Sequence, residues 1–254
     1  MKTNKVNRIY RYLILIPCMF IFSCNYLDVV PDNIPTIDDG FKNRYEAERF
    51  LYGCFSYLPS FASASSNPAL LGGDEIWIID PIDYIDPVLW YIARGNQGTE
   101  VPLANYWSSQ QAINRGELVR GGRALFTALS DCNIFIENIH KPYDLSDEER
   151  IRWVAEVKFI KAFYHFWLLR MYGPVPVIKE NRPVSAKGED AQIYREPIDD
   201  VVEYIVSLLD EAVEDLPERI EDQMREMGRP TKAIALAVKA QTLTLAASPL
   251  FNGT

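Results

Sequence analysis

Residues 146 to 174 constrain the fold more than any other stretch. Ser146 stands three residues before Glu149, the spacing of a capping box, in which each side chain satisfies the other residue's free backbone N–H. Trp153, Val157, Ile160, Tyr164, Trp167 and Met171 then follow at intervals of four, three, four, three and four. That is the period of one helical face. Phe159, Phe163, Phe166 and Leu169 occupy the opposite side, so the pattern predicts a long helix buried nearly all round. Gly173-Pro174 supplies its stop. Such a helix needs neighbours on every side. A chain of 254 residues, 48% hydrophobic and 12% aromatic, has the apolar surface to provide them and is not a disordered polymer.

Companion helices are legible on both sides. Tyr45, Phe50 with Leu51, Cys54 and Leu58 fall at near-helical intervals, and Pro59 stops them. Leu125, Leu129, Cys132, Ile136 and Ile139 form one continuous face, closed by Pro142. An extended crossing over 175–195 contains Pro176 and Pro183. Pro197 then opens another helix at a position where its missing N–H costs nothing. Ile198, Val201, Val202, Ile205, Leu208, Leu209 and Ala212 line one of its faces, and Asp199, Asp200, Glu203, Asp210, Glu211 and Glu214 fall largely on the other. A last helix is expected over 231–247, where alanines allow close approach of neighbours. No alternating strand and no repeat of fixed period stands out. The expected class is all-α, with antiparallel helices joined by irregular connections. Residues 115–123 hold glycines and bases but lack the strand–loop–helix setting of a phosphate site, and read as a loop.

The amino terminus reads separately. Lys2, Lys5, Arg8 and Arg11 precede a ten-residue apolar run, Leu13 to Phe22. This matches a secretory signal and falls far short of the ~18–20 apolar residues that span a bilayer. The run ends at Ser23-Cys24, which resembles a bacterial lipobox with Cys24 as the lipidated first residue of the mature protein. A plain secretory signal with an incidental cysteine is the alternative. The expected organisation is a lipoprotein signal peptide over 1–23, a lipid-anchored tether over 24–40 containing Pro31 and Pro35, and a helical domain over 41–254. Removing the four signal bases leaves 22 basic against 35 acidic residues, near −13, which argues against nucleic acid as a partner. Cys54 and Cys132 remain in the fold on apolar stripes. Both read as buried free thiols, with a disulfide open in an oxidising compartment.

Residues 60 to 110 are the least regular stretch, broken by Gly72-Gly73, Pro81 and Pro87, yet rich in aromatic residues. A long loop with heavy aromatics is packed on the core or built to bind something. Sugars present flat C–H faces ringed by hydroxyls, so a sugar site combines an aromatic plane with side chains that donate and accept hydrogen bonds. Trp77, Trp90, Tyr91 and Trp107 supply planes here, beside Asp74, Glu75, Asp80, Arg94, Asn96 and Gln97. The candidate ligand-binding set is Trp77, Trp90, Tyr91, Asp74, Arg94 and Asn96, with Trp90 leading because a polar run follows it. Each tryptophan has a packing role as its alternative. Catalytic signals are poor: His140 and His165 are the two histidines, and no metalloprotease, thiol-pair, nucleophile-elbow or phosphate-loop motif is present. His165 reads as a satisfied core residue. Asp80, Asp83 and Asp86 are spaced by three, unlike a calcium loop, and read as turn residues beside prolines. No catalytic residue, metal site or cofactor is expected.

Several segments together resemble the SusD/RagB family of nutrient-binding outer-membrane lipoproteins of Bacteroidetes. Cys24-Asn25-Tyr26-Leu27-Asp28 with Pro31 is similar to the family's opening. The most specific segment is Ala155 to Val177, ending in Tyr172-Gly173-Pro174-Val175-Pro176. Arg195-Glu196-Pro197 with Leu216-Pro217, then Gly228-Arg229-Pro230-Thr231 with Ala246-Ala247-Ser248-Pro249, follow in family order. The resemblance implies a tetratricopeptide-like helical scaffold with irregular loop insertions. It also implies non-catalytic capture of oligosaccharides or peptides at the cell surface, for polysaccharide utilization, and delivery to a TonB-dependent SusC-like transporter. Family members are longer, so the chain reads as an N-terminal part of such a scaffold. The alternative function is a helical scaffold lipoprotein that assembles other proteins without a small ligand.

Overall fold

A computed structural model describes residues 36–59 and 124–253, with short pieces at 94–95, 98, 106–107, 112–114 and 117–119. The expected signal peptide, Cys24 and most of the tether lie outside the described residues. The chain divides into two compact units, with the boundary after Asp39. In the first unit Thr36 donates through its N–H and hydroxyl to Asp39 Oδ2, at 2.8 and 2.9 Å.

The second unit is helical, as the all-α expectation requires. Its first helix, α1 (Arg44–Phe55), begins where Asn43 accepts from the Glu46 N–H at 3.0 Å, an N-cap of ordinary chemistry. It buries Ala47, Leu51 and Cys54, while Tyr45 points outward at 65% exposure. The inward row is thus offset from the one the aromatic spacing suggests, because the small Ala47 fits against the neighbouring helix. Phe50 joins Phe41 and Phe135 in a three-ring cluster with centroids 4.9 to 6.3 Å apart.

A short antiparallel hairpin follows, β1 (Ala112–Asn114) with β2 (Glu117–Val119), pairing Ile113 with Leu118. The segment 115–123, expected as a loop, therefore contains a strand. Three-residue strands are too short for alternation to register in sequence.

Helix α2 (Leu125–Asn138) buries Leu125, Leu129 and Cys132 as expected, but its next turn buries Phe135 rather than Ile136. Helix α3 (Asp147–Tyr172) is the predicted long one. Ser146 caps it, accepting from the Glu149 N–H at 3.2 Å. Every residue from Phe159 to Leu169 is buried. At roughly 1.5–3 kcal/mol for each large apolar side chain, this run dominates the core. Gly173 ends α3 at φ +71° with its N–H on Leu169 O at 2.9 Å, a backbone state that a Cβ disfavours.

Helix α4 (Ile198–Asp215) packs on α3 and keeps its acids in solvent. A one-turn α5 (Gln223–Glu226) lies in the connection to α6 (Lys232–Ala246), which packs on α4, and a one-turn α7 (Pro249–Asn252) follows. Helices α2 and α3, joined by residues 139–146, pack together. No described helix is long and apolar enough to cross a membrane.

Glu156, Lys161 and His165 of α3 are buried. Glu156 is fully enclosed and accepts from Arg152 Nε at 3.1 Å and from Arg229 at 3.0 and 2.8 Å. Burial raises its carboxyl above the usual range, and the two guanidinia pull the other way. Both arginines also hold Glu226, at 2.9 and 3.1 Å. This network ties α3 to the connection between α4 and α6. The other two, Lys161 and His165, form the base of the candidate site.

Candidate functional site

The extended crossing after α3 is pinned to the helices by polar groups. His165 Nδ1 bonds Lys161 O at 2.8 Å, and Nε2 lies 3.2 Å from the Ile178 N–H. A carbonyl requires a proton on Nδ1, so Nε2 is the acceptor and the ring is neutral. Burial pushes its pKa down to about 4. The expected satisfied core histidine is what the fold contains. Lys161 Nζ donates to Asn133 Oδ1 at 2.5 Å and to Lys179 O at 2.7 Å. Asn133 donates to Asn181 Oδ1 at 3.1 Å, and Asn181 to Ser130 O at 2.9 Å. Burial lowers the Lys161 amine to about 8. Four side chains on three segments thus fix residues 178–181 with side-chain hydrogen bonds alone.

That fixed crossing forms one wall of an open cleft of about 1480 Å³. Phe126 and Ser130 of α2 form a second side, and Glu203, Tyr204 and Ser207 of α4 a third. Trp107 lines it as well. Its ring packs on Phe126 at 4.7 Å and edge-on to Tyr172 at 5.5 Å, and the Arg195 guanidinium lies 5.1 Å from its centroid. Tyr106 positions it: the Tyr106 N–H donates to Tyr172 Oη at 2.9 Å, and Tyr106 O accepts from the Leu125 N–H at 2.9 Å. Tyr204 meets His165 edge-on at 5.1 Å and has the ammonium groups of Lys161 and Lys179 each 5.8 Å from its ring. Burial raises the Tyr204 hydroxyl well above its usual pKa, so it remains a neutral donor and acceptor. The cleft combines aromatic planes with lysine, arginine, carboxylate, amide and hydroxyl groups. This is the donor and acceptor mixture a polyhydroxylated ligand needs.

A second groove of about 1240 Å³ runs past α1, α3 and the α4–α6 connection. Its arginines are largely engaged already: Arg44 with Glu48 and Glu149, and Arg152 and Arg229 with Glu226. Among the described residues, the Trp107 cleft is the better ligand site.

Of the residues singled out in sequence, Trp77, Trp90, Tyr91, Asp74 and Asn96 lie outside the described residues. Arg94 is an exposed turn residue before Gly95 and is not among the residues lining the cleft. Trp107, the last member of that aromatic stretch, does line it. Tyr204, Lys179 and Asn181 escape a reading of the sequence, because Tyr204 falls within an amphipathic face and the crossing looks like a connector. The available signal is one aromatic residue at the edge of the acidic face of α4.

The sequence model of a SusD-like family, described as starch-binding and associating with the outer membrane, matches residues 106–243. That is more than half of the chain and includes every residue lining the cleft. SusD-like protein P25 of Formosa agariphila is 24% identical over 201 residues, covering 73% of this chain and 35% of its own. A laminarin-binding SusD-like protein superposes with a TM-score of 0.59 at 19% identity, over 80% of this chain and 40% of its own. Surface glycan-binding protein A from Bacteroides uniformis gives a TM-score of 0.59 at 16% identity, over 78% and 41%. The chain thus spans between a third and two fifths of the length of these relatives. With the family model matched over more than half of its length, the chain belongs to the SusD-like family.

Proposed function

We propose that this protein is a lipid-anchored, non-catalytic binder of oligosaccharides at the cell surface, handing them to a SusC-like TonB-dependent transporter in the outer membrane. The family match across 106–243 carries the reading, because that segment builds the cleft and the family is described as starch-binding and outer-membrane-associated. Residues 1–23 act as the signal peptide, Cys24 carries the lipid, and 24–40 tether the helical domain beyond the membrane. Several acyl chains on one cysteine give stable anchoring. In the cleft, Trp107 and Tyr204 offer planes to sugar faces while Lys179, Asn181 and Glu203 meet hydroxyls. The irregular segment with Trp77, Trp90, Tyr91, Asp74, Arg94 and Asn96 adds further contacts.

Titration of the full chain against laminarin, soluble starch and a glycan panel tests this directly. Trp107→Ala and Tyr204→Ala should each weaken binding by about tenfold or more, as loss of an aromatic anchor does, with helical content retained. Wild-type affinity in both variants would remove the cleft from the proposal. Absence of binding to any glycan, with a transporter complex lost on deletion of the gene, would favour the protein-assembly reading instead.

A further inference from the structure

Lys161, Asn133 and Asn181 form a hydrogen-bonded chain that runs from α3 through α2 to the cleft wall and back to α2. Lys161 Nζ donates to Asn133 Oδ1 at 2.5 Å, Asn133 Nδ2 to Asn181 Oδ1 at 3.1 Å, and Asn181 Nδ2 to Ser130 O at 2.9 Å. Its two ends decide its direction, because an ammonium only donates and a backbone carbonyl only accepts. Turning Asn133 over would set its N–H groups against the ammonium. Turning Asn181 over would set its oxygen against the Ser130 carbonyl. Lys161 and Asn133 are buried, and neither is among the residues lining the cleft. Asn181 is half-buried and does line it. An asparagine amide has two N–H groups and two oxygen lone pairs. Asn181 spends one of each on α2 and keeps one of each, the complement of a hydroxyl that both donates and accepts.

We propose that Lys161 and Asn133 are positioning residues for ligand capture, acting through Asn181 without touching the ligand. They fix which way the Asn181 amide is turned, and so which N–H and lone pair the cleft presents to a sugar hydroxyl. Its use rests on the reading of the cleft as a glycan site. A charged donor at the head of the chain strengthens the hydrogen bonds that follow it. An amide free to take both orientations would have to be ordered by the ligand, at a cost in affinity.

The charge on Lys161 is the part of this chain that changes without a substitution. Burial lowers its amine to about 8, while Cys132 and Glu137 of α2 and Glu211 of α4 pull it up. Tyr204 of α4 faces it with a ring that Lys179 of the crossing also approaches, and His165 Nδ1 bonds its carbonyl. Once neutral, the amine gains a lone pair and no longer dictates the direction of Asn133.

Nitrogen NMR of the full chain, with asparagine labelled at the side-chain amide, tests the chain without a glycan. The Asn133 and Asn181 signals should shift together with one midpoint near pH 8, and Lys161→Met should abolish that shift. Titration with laminarin and the glycan panel gives the second readout. Asn133→Asp keeps a partner for Lys161 but offers Asn181 only acceptors, so it should weaken binding by about tenfold with helical content retained. Wild-type affinity should fall between about pH 7 and 9, across the loss of the Lys161 charge, and the slope should vanish in Lys161→Met. An Asn181 signal that ignores the Lys161 titration, or wild-type affinity in Asn133→Asp, would overturn the proposal. Coupled amide signals in a protein that binds no glycan would refute the binding reading and leave the direction of the chain standing.

Discussion

His165 is held neutral by two backbone groups, a carbonyl on one nitrogen and an N–H on the other. Protonating Nε2 would remove the acceptor for the Ile178 N–H, and burial of the ring opposes the charge, which holds the pKa down at about 4. The sign follows from linkage. The folded pKa lies below the ordinary 6.5, so between those values the unfolded chain binds the proton and the folded chain does not. Stability from this group is complete above pH 6.5 and is lost as the pH falls toward 4, on the order of 3 kcal/mol over the window. Urea denaturation between pH 4 and 7 should show that slope in wild type and a shallower one in His165→Gln. Equal slopes would mean that other groups set the acid sensitivity. That His165 is structural can be argued from its place in the aromatic run. Its partnership with Ile178 cannot, because the returning chain is tertiary.

Among the helices, α3 and α6 pose opposite problems. The first is apolar on every side and finds neighbours for nearly all of its length. The second buries Ala235, Val238 and Thr242 against α4, while Ile234, Leu236 and Leu243 remain 44 to 50% exposed. Such an uncovered apolar surface attracts other apolar groups. The 254-residue chain should therefore enhance the fluorescence of a hydrophobic probe such as anilinonaphthalene sulfonate at native pH. Leu236→Lys should reduce the signal without lowering the thermal midpoint, since that side chain already meets solvent. An unchanged signal would place the exposed apolar surface elsewhere. Periodicity identifies both helices and their approximate ends. It misplaces which turn of α1 and α2 faces inward, since Tyr45 and Phe50, or Phe135 and Ile136, are equally apolar and the facing helix decides between them.

For the whole molecule, the Glu156 network does what apolar packing alone does not: of its five charge-assisted contacts, three cross from α3 to the connection between α4 and α6. A buried pair is weak evidence of net stabilisation, but breaking one strands the remaining charge. Arg229→Ala should cost about 3–5 kcal/mol in chemical denaturation. Arg49→Ala, which removes an exposed pair with Glu46, should cost less than about 1 kcal/mol. Comparable losses would show that Glu156 is relieved by water or by protonation. The same scale governs the cleft, whose walls come from residues separated by up to a hundred positions in sequence. Trp107 is legible as a candidate because it stands in an aromatic stretch. Lys161 and Asn133 are not, because each sits in a helical pattern where a polar residue reads as a solvent face.

By itself the sequence determined that a long, all-round apolar helix, capped at Ser146 and stopped at Gly173, would stand at the centre of an all-α scaffold. Local rules suffice there, since capping, periodicity and chain stops act over a few residues. Only the tertiary structure decided that the crossing at 178–181 would be a cleft wall and that Arg229 would reach Glu156. Those outcomes depend on which helix faces meet, and contacts between distant segments leave no period in the chain.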